Sequence, residues 1–394
     1  LLVKGLETLG EETLDILKLL SCIGNQFDLL TVSLISKKSV ATLGRNLWVA
    51  IENEIILPLN NDYRFINTLR SEISPVDFEM RFCFAHDRIR QAVHSLIPES
   101  KKAELNLSIG REYLRSFRVT QEMDAVFDLV KYLNNARCLI TGKDERVELA
   151  DLNSIAGNKA MKSTAFAAAL SYFETAESLL SKEEWDTLQD KHFDLLLKQA
   201  STALQSGDLL KADTLCEMSV KMAKSTLDKG AISRIKVMIL IFQGKLPEAI
   251  SEVRKTLQLF SVTLPESADE IAWKTQDGIM KMQQILTRMP IEELVNLPAM
   301  NNPEMLMALQ LLQAVLPASQ ANPPFFALTT IIMFELTLTY GTSALSCKCF
   351  GDCGHILGKV LADYKTGYKL GEAAFALINN YKAESQKPSV YFMF

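Results

Sequence analysis

Apolar residues recur at helical spacing along nearly the whole chain. Leu14, Leu17, Leu20 and Ser21 fall on one face, Leu30, Leu34 and Ile35 on the face of a following helix, and Leu43, Leu47 and Ile51 on a third. Two stretches break this period. "EIILPL" is a short β-branched and apolar run, and in "MRFCFAH" Met80, Phe82 and Phe84 alternate, the pattern of a strand with one buried face. A polar connection with turn-forming "NND" and "SP" joins them. Helical spacing returns in "HDRIRQAVHSLIP", where Ile89, Ala92, Val93, Leu96 and Ile97 form one stripe that ends before Pro98. Three helices, two short strands and a further helix is the order of a winged-helix domain. His86 and Asp87 then sit where the second strand runs into the helix. Asp87 is expected to be the N-cap, its carboxylate accepting from the first free backbone N–H groups. A full capping box is missing, because the third residue on is Arg90.

From about residue 151 the chain repeats itself. Gly157, Ala169, Phe173 and Ala176 are matched in spacing by Ala200, Ala212, Cys216 and Ser219, and again by Val237, Ala249, Val253 and Thr256. Ala212 and Ala249 are 37 residues apart, with Gly207 and Gly244 at matching turns. Tetratricopeptide repeats have a period of about 34, with small residues where paired helices touch. Tyr368, Gly371 and Phe375 suggest another unit near the end. The expected fold is therefore mainly α: a winged-helix domain with a small β-wing over residues 1–120, followed by a tetratricopeptide-like α-solenoid over residues 121–394.

Composition narrows the function. At 394 residues, 23% charged and 48% hydrophobic, the chain reads as globular, and its net charge of -5 argues against a general nucleic-acid or anionic-membrane binder. A winged-helix DNA binder is further weakened because residues 1–150 hold 19 basic against 21 acidic side chains, and the recognition-helix candidate carries Arg45 as its single base. The seven cysteines are an odd number spread from Cys22 to Cys353, which suits reduced thiols and a cytoplasmic location. The longest apolar stretch, "PPFFALTTIIMF", is short of the roughly 20 residues a membrane span needs. The start at Leu1 and the stop at "KPSVYFMF" are read as the ends of a piece of something longer.

No catalytic motif stands out. "GNKAMKST" lacks the second glycine and the spacing of a phosphate-binding loop, and Gly157 is better explained as the small residue of a repeat. "HDR" resembles a scrambled kinase catalytic loop without its downstream partners. Cys347, Cys349, Cys353 and His355 offer four soft ligands in nine residues, but one helix cannot bring all four to a metal. Small buried thiols packing between helices is the competing reading, and no metal site is expected. His94 and His192 read as surface or satisfied core residues rather than ligands.

Several segments carry a resemblance in order and spacing: "CIGNQFDLLTVSLI", "LWVAIENEIILPL", "FAHDRIRQAVHSLIP" and "SIGREYL", then "AGNKAMKSTAFAAALSYFETA", "LPAMNNPEMLMALQLL" and "DYKTGYKLGEAAFAL". Together they resemble large signalling kinases that combine a Ser/Thr-kinase-like domain, a STAND-type AAA ATPase, a tetratricopeptide-like region, GAF and a histidine kinase. The likeness implies that this chain is the end of the ATPase module plus most of the helical region, with kinase, Walker and phospho-acceptor motifs outside it. Two departures are Asn106, where such proteins often carry His, and the cysteine-rich "SALSCKCFGDCGHIL".

The resemblance gives His86-Asp87 a role. STAND ATPases carry a Met-His-Asp motif after the wing strand, whose His contacts the diphosphate of the bound nucleotide in the resting state. Ala85-His86-Asp87 is similar to it, with Ala85 in place of Met. An imidazole can donate to a phosphate oxygen, and a helix N-terminus favours negative charge nearby. The implied reading is a regulatory segment that holds no cofactor of its own, in a parent protein using ATP or ADP with Mg. Its partners would be a protein on the solenoid and the neighbouring ATPase and kinase domains of the same chain, with no nucleic acid and no membrane span. The rival is a freestanding helical-repeat scaffold that binds a protein or peptide without nucleotide control.

Overall fold

The computed structural model describes residues 9–68, 80–120, 125–319 and 322–393. These are mainly helical, with one small sheet, and the chain divides into two compact units, Leu1–Asp186 and Thr187–Phe394.

The first unit opens with α1 (Glu11–Ile23), β1 (Gln26–Asp28), α2 (Leu29–Ser36), α3 (Val40–Glu52), β2 (Ile56–Pro58), β3 (Arg81–Phe84) and α4 (Asp87–Ser95). The strands pair antiparallel in the order β1-β3-β2, with Phe27 opposite Phe82 and Leu57 opposite Cys83. The sheet contains a strand that the apolar pattern does not announce. β1 is three residues long, too short for any period to show. Its Phe27 ring stacks at 6.1 Å on Phe82 and meets Phe84 edge-on at 5.9 Å. Met80, Phe82 and Phe84 all face the core, as their alternation requires. Asp28 caps α2 by accepting from Thr31 N at 2.7 Å, and Ser39 caps α3 by accepting from Thr42 N at 3.2 Å. Within the polar connection from β2 to β3, residues 69–79 lie outside the described residues.

The apolar face of α2 differs from the expected one. Leu30 is 41% exposed and Leu34 is 54% exposed, whereas Leu29, Val32 and Ile35 are buried. "LLTVSLIS" is apolar all round, so spacing alone cannot choose a face, and contacts with α1 and α3 choose it.

α5 (Glu99–Thr120), α6 (Val126–Asn135), α7 (Lys143–Lys162), α8 (Phe166–Ser178) and the short α9 (Lys182–Asp186) complete this unit. α5 ends at Thr120, and the compact unit continues to Asp186. Ile109 of α5 and Tyr132 of α6 share one apolar core with α1–α4 and the sheet, and the buried Tyr132 hydroxyl donates to Ile23 O at the end of α1. Burial raises the Tyr132 pKa, so that proton stays on the hydroxyl throughout the physiological range. Arg111 and Arg118 of α5 form two-pronged ion pairs with Glu145 and Glu148 of α7, and Asn134 and Asn153 exchange amide hydrogen bonds between α6 and α7.

The second unit contains α10 (Gln189–Gln205), α11 (Leu209–Val220), α12 (Thr226–Phe242), α13 (Leu246–Gln258) and α14 (Ala268–Arg288). It continues through α15 (Ile291–Val295), α16 (Pro303–Ser319), α17 (Pro323–Tyr340), α18 (Ser346–Leu361), α19 (Tyr364–Tyr381) and α20 (Lys387–Met393). Successive helices pack side by side: α10 on α11, α11 on α12, α12 on α13, and α12 and α13 on α16. One helix among those described, α17, is long and apolar enough to cross a membrane by length and composition, and half of that stretch is buried. Its Phe325, Leu328, Ile331 and Phe334 belong to the same apolar core as Leu312 and Phe350.

The repeat register holds in three helix pairs. Gly157, Ala169, Phe173 and Ala176 bring α7 and α8 together, and the corresponding residues do so in α10–α11 and α12–α13. Ala169, Ala200, Ala212, Val237 and Ala249 are fully buried. Each pair turns through one residue with positive φ, seven residues after the first small position: Thr164 (57°), Gly207 (87°) and Gly244 (74°). After it, an N–H reaches back into the first helix, Ala165 to Ala160 O, Asp208 to Ala203 O and Lys245 to Leu240 O, each at 2.9 Å. α18 and α19 also turn through one residue with positive φ, Ala362 (54°), but here the N–H groups of both Ala362 and Asp363 reach Leu357 O.

Candidate functional site

The junction between β3 and α4 is fixed from both sides. Phe84 N donates to Asn25 O and Ala85 N to Ile55 O, each at 3.0 Å, so the strand end is held before the chain turns into α4. His86, not Asp87, occupies the N-cap position, with extended φ −145° and ψ 144°. Its carbonyl accepts from Ile89 N at 2.9 Å, and no side chain caps the helix. The expected capping role of Asp87 is thus corrected. Asp87 is the first helical residue, and its carboxylate accepts from Arg90 Nε at 2.8 Å and Gln91 Nε2 at 2.6 Å. Both partners stand three and four residues on, where a helix places them beside Asp87, and this geometry competes with capping. Arg90 in turn reaches Ser21 O at 3.4 Å, tying α4 to α1.

The His86, Asp87 and Arg88 side chains are exposed. The junction therefore presents an imidazole and an uncapped helix N-terminus, while the one adjacent carboxylate is paired with Arg90. That arrangement can receive an anion, because the first N–H groups of a helix carry partial positive charge. It has neither a nucleophile nor a base aimed at a common point.

The remaining candidates resolve as packing. The "GNKAMKST" segment is the end of α7, and a Cβ at Gly157 would lie 2.5 Å from the Phe173 ring, so this glycine is required by helix contact. Cys347, Cys349 and Cys353 are fully buried on α18, whereas His355 is exposed. No group of three His, Cys, Asp or Glu side chains among the described residues could hold a metal. Burial pushes the Cys347 thiol up to about 11 and Cys349 well above its ordinary value, which disfavours the thiolate that binding or attack would need. Burial, with Lys102 and Arg90 nearby, lowers the His94 pKa. Arg45 is exposed on α3.

No protein-family model matches the chain. Over 97% of its length it is 25% identical to the hybrid signal transduction histidine kinase G of Dictyostelium discoideum. The match covers 13% of that relative, so the chain spans about an eighth of its length. Among solved structures it is similar to a signal transduction ATPase with numerous domains, a STAND protein with a tetratricopeptide repeat sensor, from Pyrococcus horikoshii. That likeness has 11% identity and a TM-score of 0.26, over 99% of this chain and 66% of the other.

Proposed function

We propose that this chain is a regulatory segment of a larger ATP-dependent signalling kinase. In this reading the helical pairs receive a protein partner, and the winged helix passes the result to a nucleotide-binding module of the same protein. The observation that carries it is the similarity to a hybrid signal transduction histidine kinase, which runs through both units rather than stopping at either. Within the first unit the contacts favour transmission. Tyr132 joins α6 to α1, and the Arg111–Glu145 and Arg118–Glu148 pairs join α5 to α7, so a displacement of α7 has a packed route to the winged helix. Coupling of this kind is a free-energy difference between two arrangements, typically about 1–3 kcal/mol.

In this proposal His86 and the α4 N-terminus contact the diphosphate of a bound ADP in the resting state, while the neighbouring module supplies Mg and most of the nucleotide site. The test uses the full-length protein with His86→Ala. A charge-assisted hydrogen bond is worth about 1.5–3 kcal/mol, so ADP affinity measured by calorimetry should fall about tenfold or more, and basal signalling should rise. Unchanged ADP affinity in a folded His86→Ala protein would remove the nucleotide role and leave a junction residue.

A further inference from the structure

Gly351, Gly354 and Gly358 of α18, with Gly367 and Gly371 of α19, form the floor of an open groove of about 460 Å³. Two of these glycines are dictated by packing. A Cβ at Gly354 would lie 2.7 Å from Gly367 O, and one at Gly367 would lie 2.8 Å from Gly354 O, so the helices cross backbone to backbone. Gly351 and Gly358 are not dictated in this way. The nearest atoms to their Cβ positions are 3.8 Å and 3.4 Å away, ordinary contact distances. Glycine inside a helix costs stability against alanine, and the packing of α18 returns nothing for these two. Both line the groove.

The walls carry two basic side chains and two aromatic rings, and Met393 of α20 also lines the groove. Exposed His355 and Lys359 stand on the α18 side, and Tyr364 and Tyr368, 72% and 59% exposed, on the α19 side. Among the described residues no carboxylate lines the groove. Lys365 and Lys369, each following a groove tyrosine, are exposed, and among the described residues Lys359, Lys365 and Lys369 have no ion-pair partner. Asp363, at the turn between the helices, caps α19 by accepting from Thr366 N at 3.1 Å. The result is a glycine floor with an aromatic wall and Lys359 and His355 beside it; Lys365 and Lys369 are exposed on the helix that carries the two tyrosines, with exposed Glu372 three residues after Lys369.

We infer that this groove docks an acidic segment of a partner protein. An apolar side chain of that segment lies on the glycine floor beside Tyr364 and Tyr368, and flanking carboxylates meet Lys359, Lys365 and Lys369. The inference rests on the reading that the helical region receives a protein partner, and it supplies the place and chemistry. Charge complementarity selects the occupant, and the open shape suits a chain passing through.

The test is selection of short displayed random peptides on the intact chain, followed by anisotropy with a fluorescent copy of the most enriched peptide. The expected peptides are net acidic with at least one large apolar residue. Their binding should weaken with salt and fall about tenfold or more in Lys359→Glu/Lys369→Glu. Gly351→Ala/Gly358→Ala should raise the melting temperature and yet weaken binding, a combination that loss of folding cannot produce. Peptides that bind these variants as well as the parent, or that are neutral or basic, overturn the groove while leaving partner binding intact. If no peptide is enriched, both the groove and the partner-binding reading fail.

Discussion

The α12–α13 and α18–α19 pairs each turn through one residue with positive φ and differ in what touches across the helices. In α12–α13, Val237, Ala249 and Val253 are fully buried, and Thr256 Oγ1 donates to Ser233 Oγ at 2.8 Å, so the contact is made by side chains. In α18–α19 it is made by backbone, with Gly354 and Gly367 facing each other. Side chains can move in response to a change, whereas a backbone contact can only open. The same spare volume that makes the second pair less forgiving also leaves it a groove. A helix pair can thus keep its buried core, as Leu357, Leu370 and Leu377 do here, while crossing by backbone at one point beside an open groove.

The largest effect expected from breaking this contrast is at the crossing. Gly354→Ala places a methyl against a carbonyl oxygen and should cost about 2–3 kcal/mol in denaturant unfolding. Gly358→Ala, one turn along the same helix, should stabilise by roughly 0.5–1 kcal/mol through its effect on helix propensity. Equal effects at the two sites would mean that the backbone crossing is not the contact.

A smaller effect is expected at the turns. Gly207 has open space around its Cβ position, so Gly207→Thr should lose only the strain of a left-handed conformation, about 1–2 kcal/mol. Thr164 already bears that strain at φ 57°, and Thr164→Gly should gain about 1 kcal/mol or less, because glycine frees the unfolded chain as well. Thermal melts of the pair should move in opposite directions.

The smallest effect separates the pairs by capping chemistry. α12 begins with a capping box in which Asp228 accepts from Ser225 N and Lys224 N while Ser225 Oγ accepts from Asp228 N. Burial works against its ionisation, but these backbone donors and Lys224 outweigh it and lower the Asp228 pKa below 3.8. A lowered pKa means the carboxylate's stabilisation is present above the unfolded value and is lost as pH falls through the folded one. Asp228→Asn should therefore cost about 1 kcal/mol at neutral pH, a difference that disappears in acid below the ordinary aspartate range. A pH-independent difference would assign the effect to packing.

The site followed the same division between what spacing reveals and what folding decides. His86 and Asp87 were legible at a strand-to-helix junction because the alternation of Met80, Phe82 and Phe84 meets a helical stripe there. The partner of Asp87 was not, because backbone N–H groups and the Arg90 and Gln91 side chains are all donors within about one helical turn, and the two side chains win. Tyr368 and Gly371 were legible as repeat residues but not as the side of a groove, which needs α18 beside them.

By itself the sequence determined the helical periods, the alternation along β3 and the three copies of small residues, with turns at Gly207 and Gly244, because each is a local pattern repeated often enough to register. Tertiary structure alone decided three things: the pairing of β1 with β3, the buried face of α2 and the Gly354–Gly367 crossing. Gln26 meets Cys83 across more than fifty residues of chain, α2 is apolar on every side, and a glycine carries no mark of what approaches it. Each of these depends on a distant partner, and only burial against that partner gives the choice its free energy.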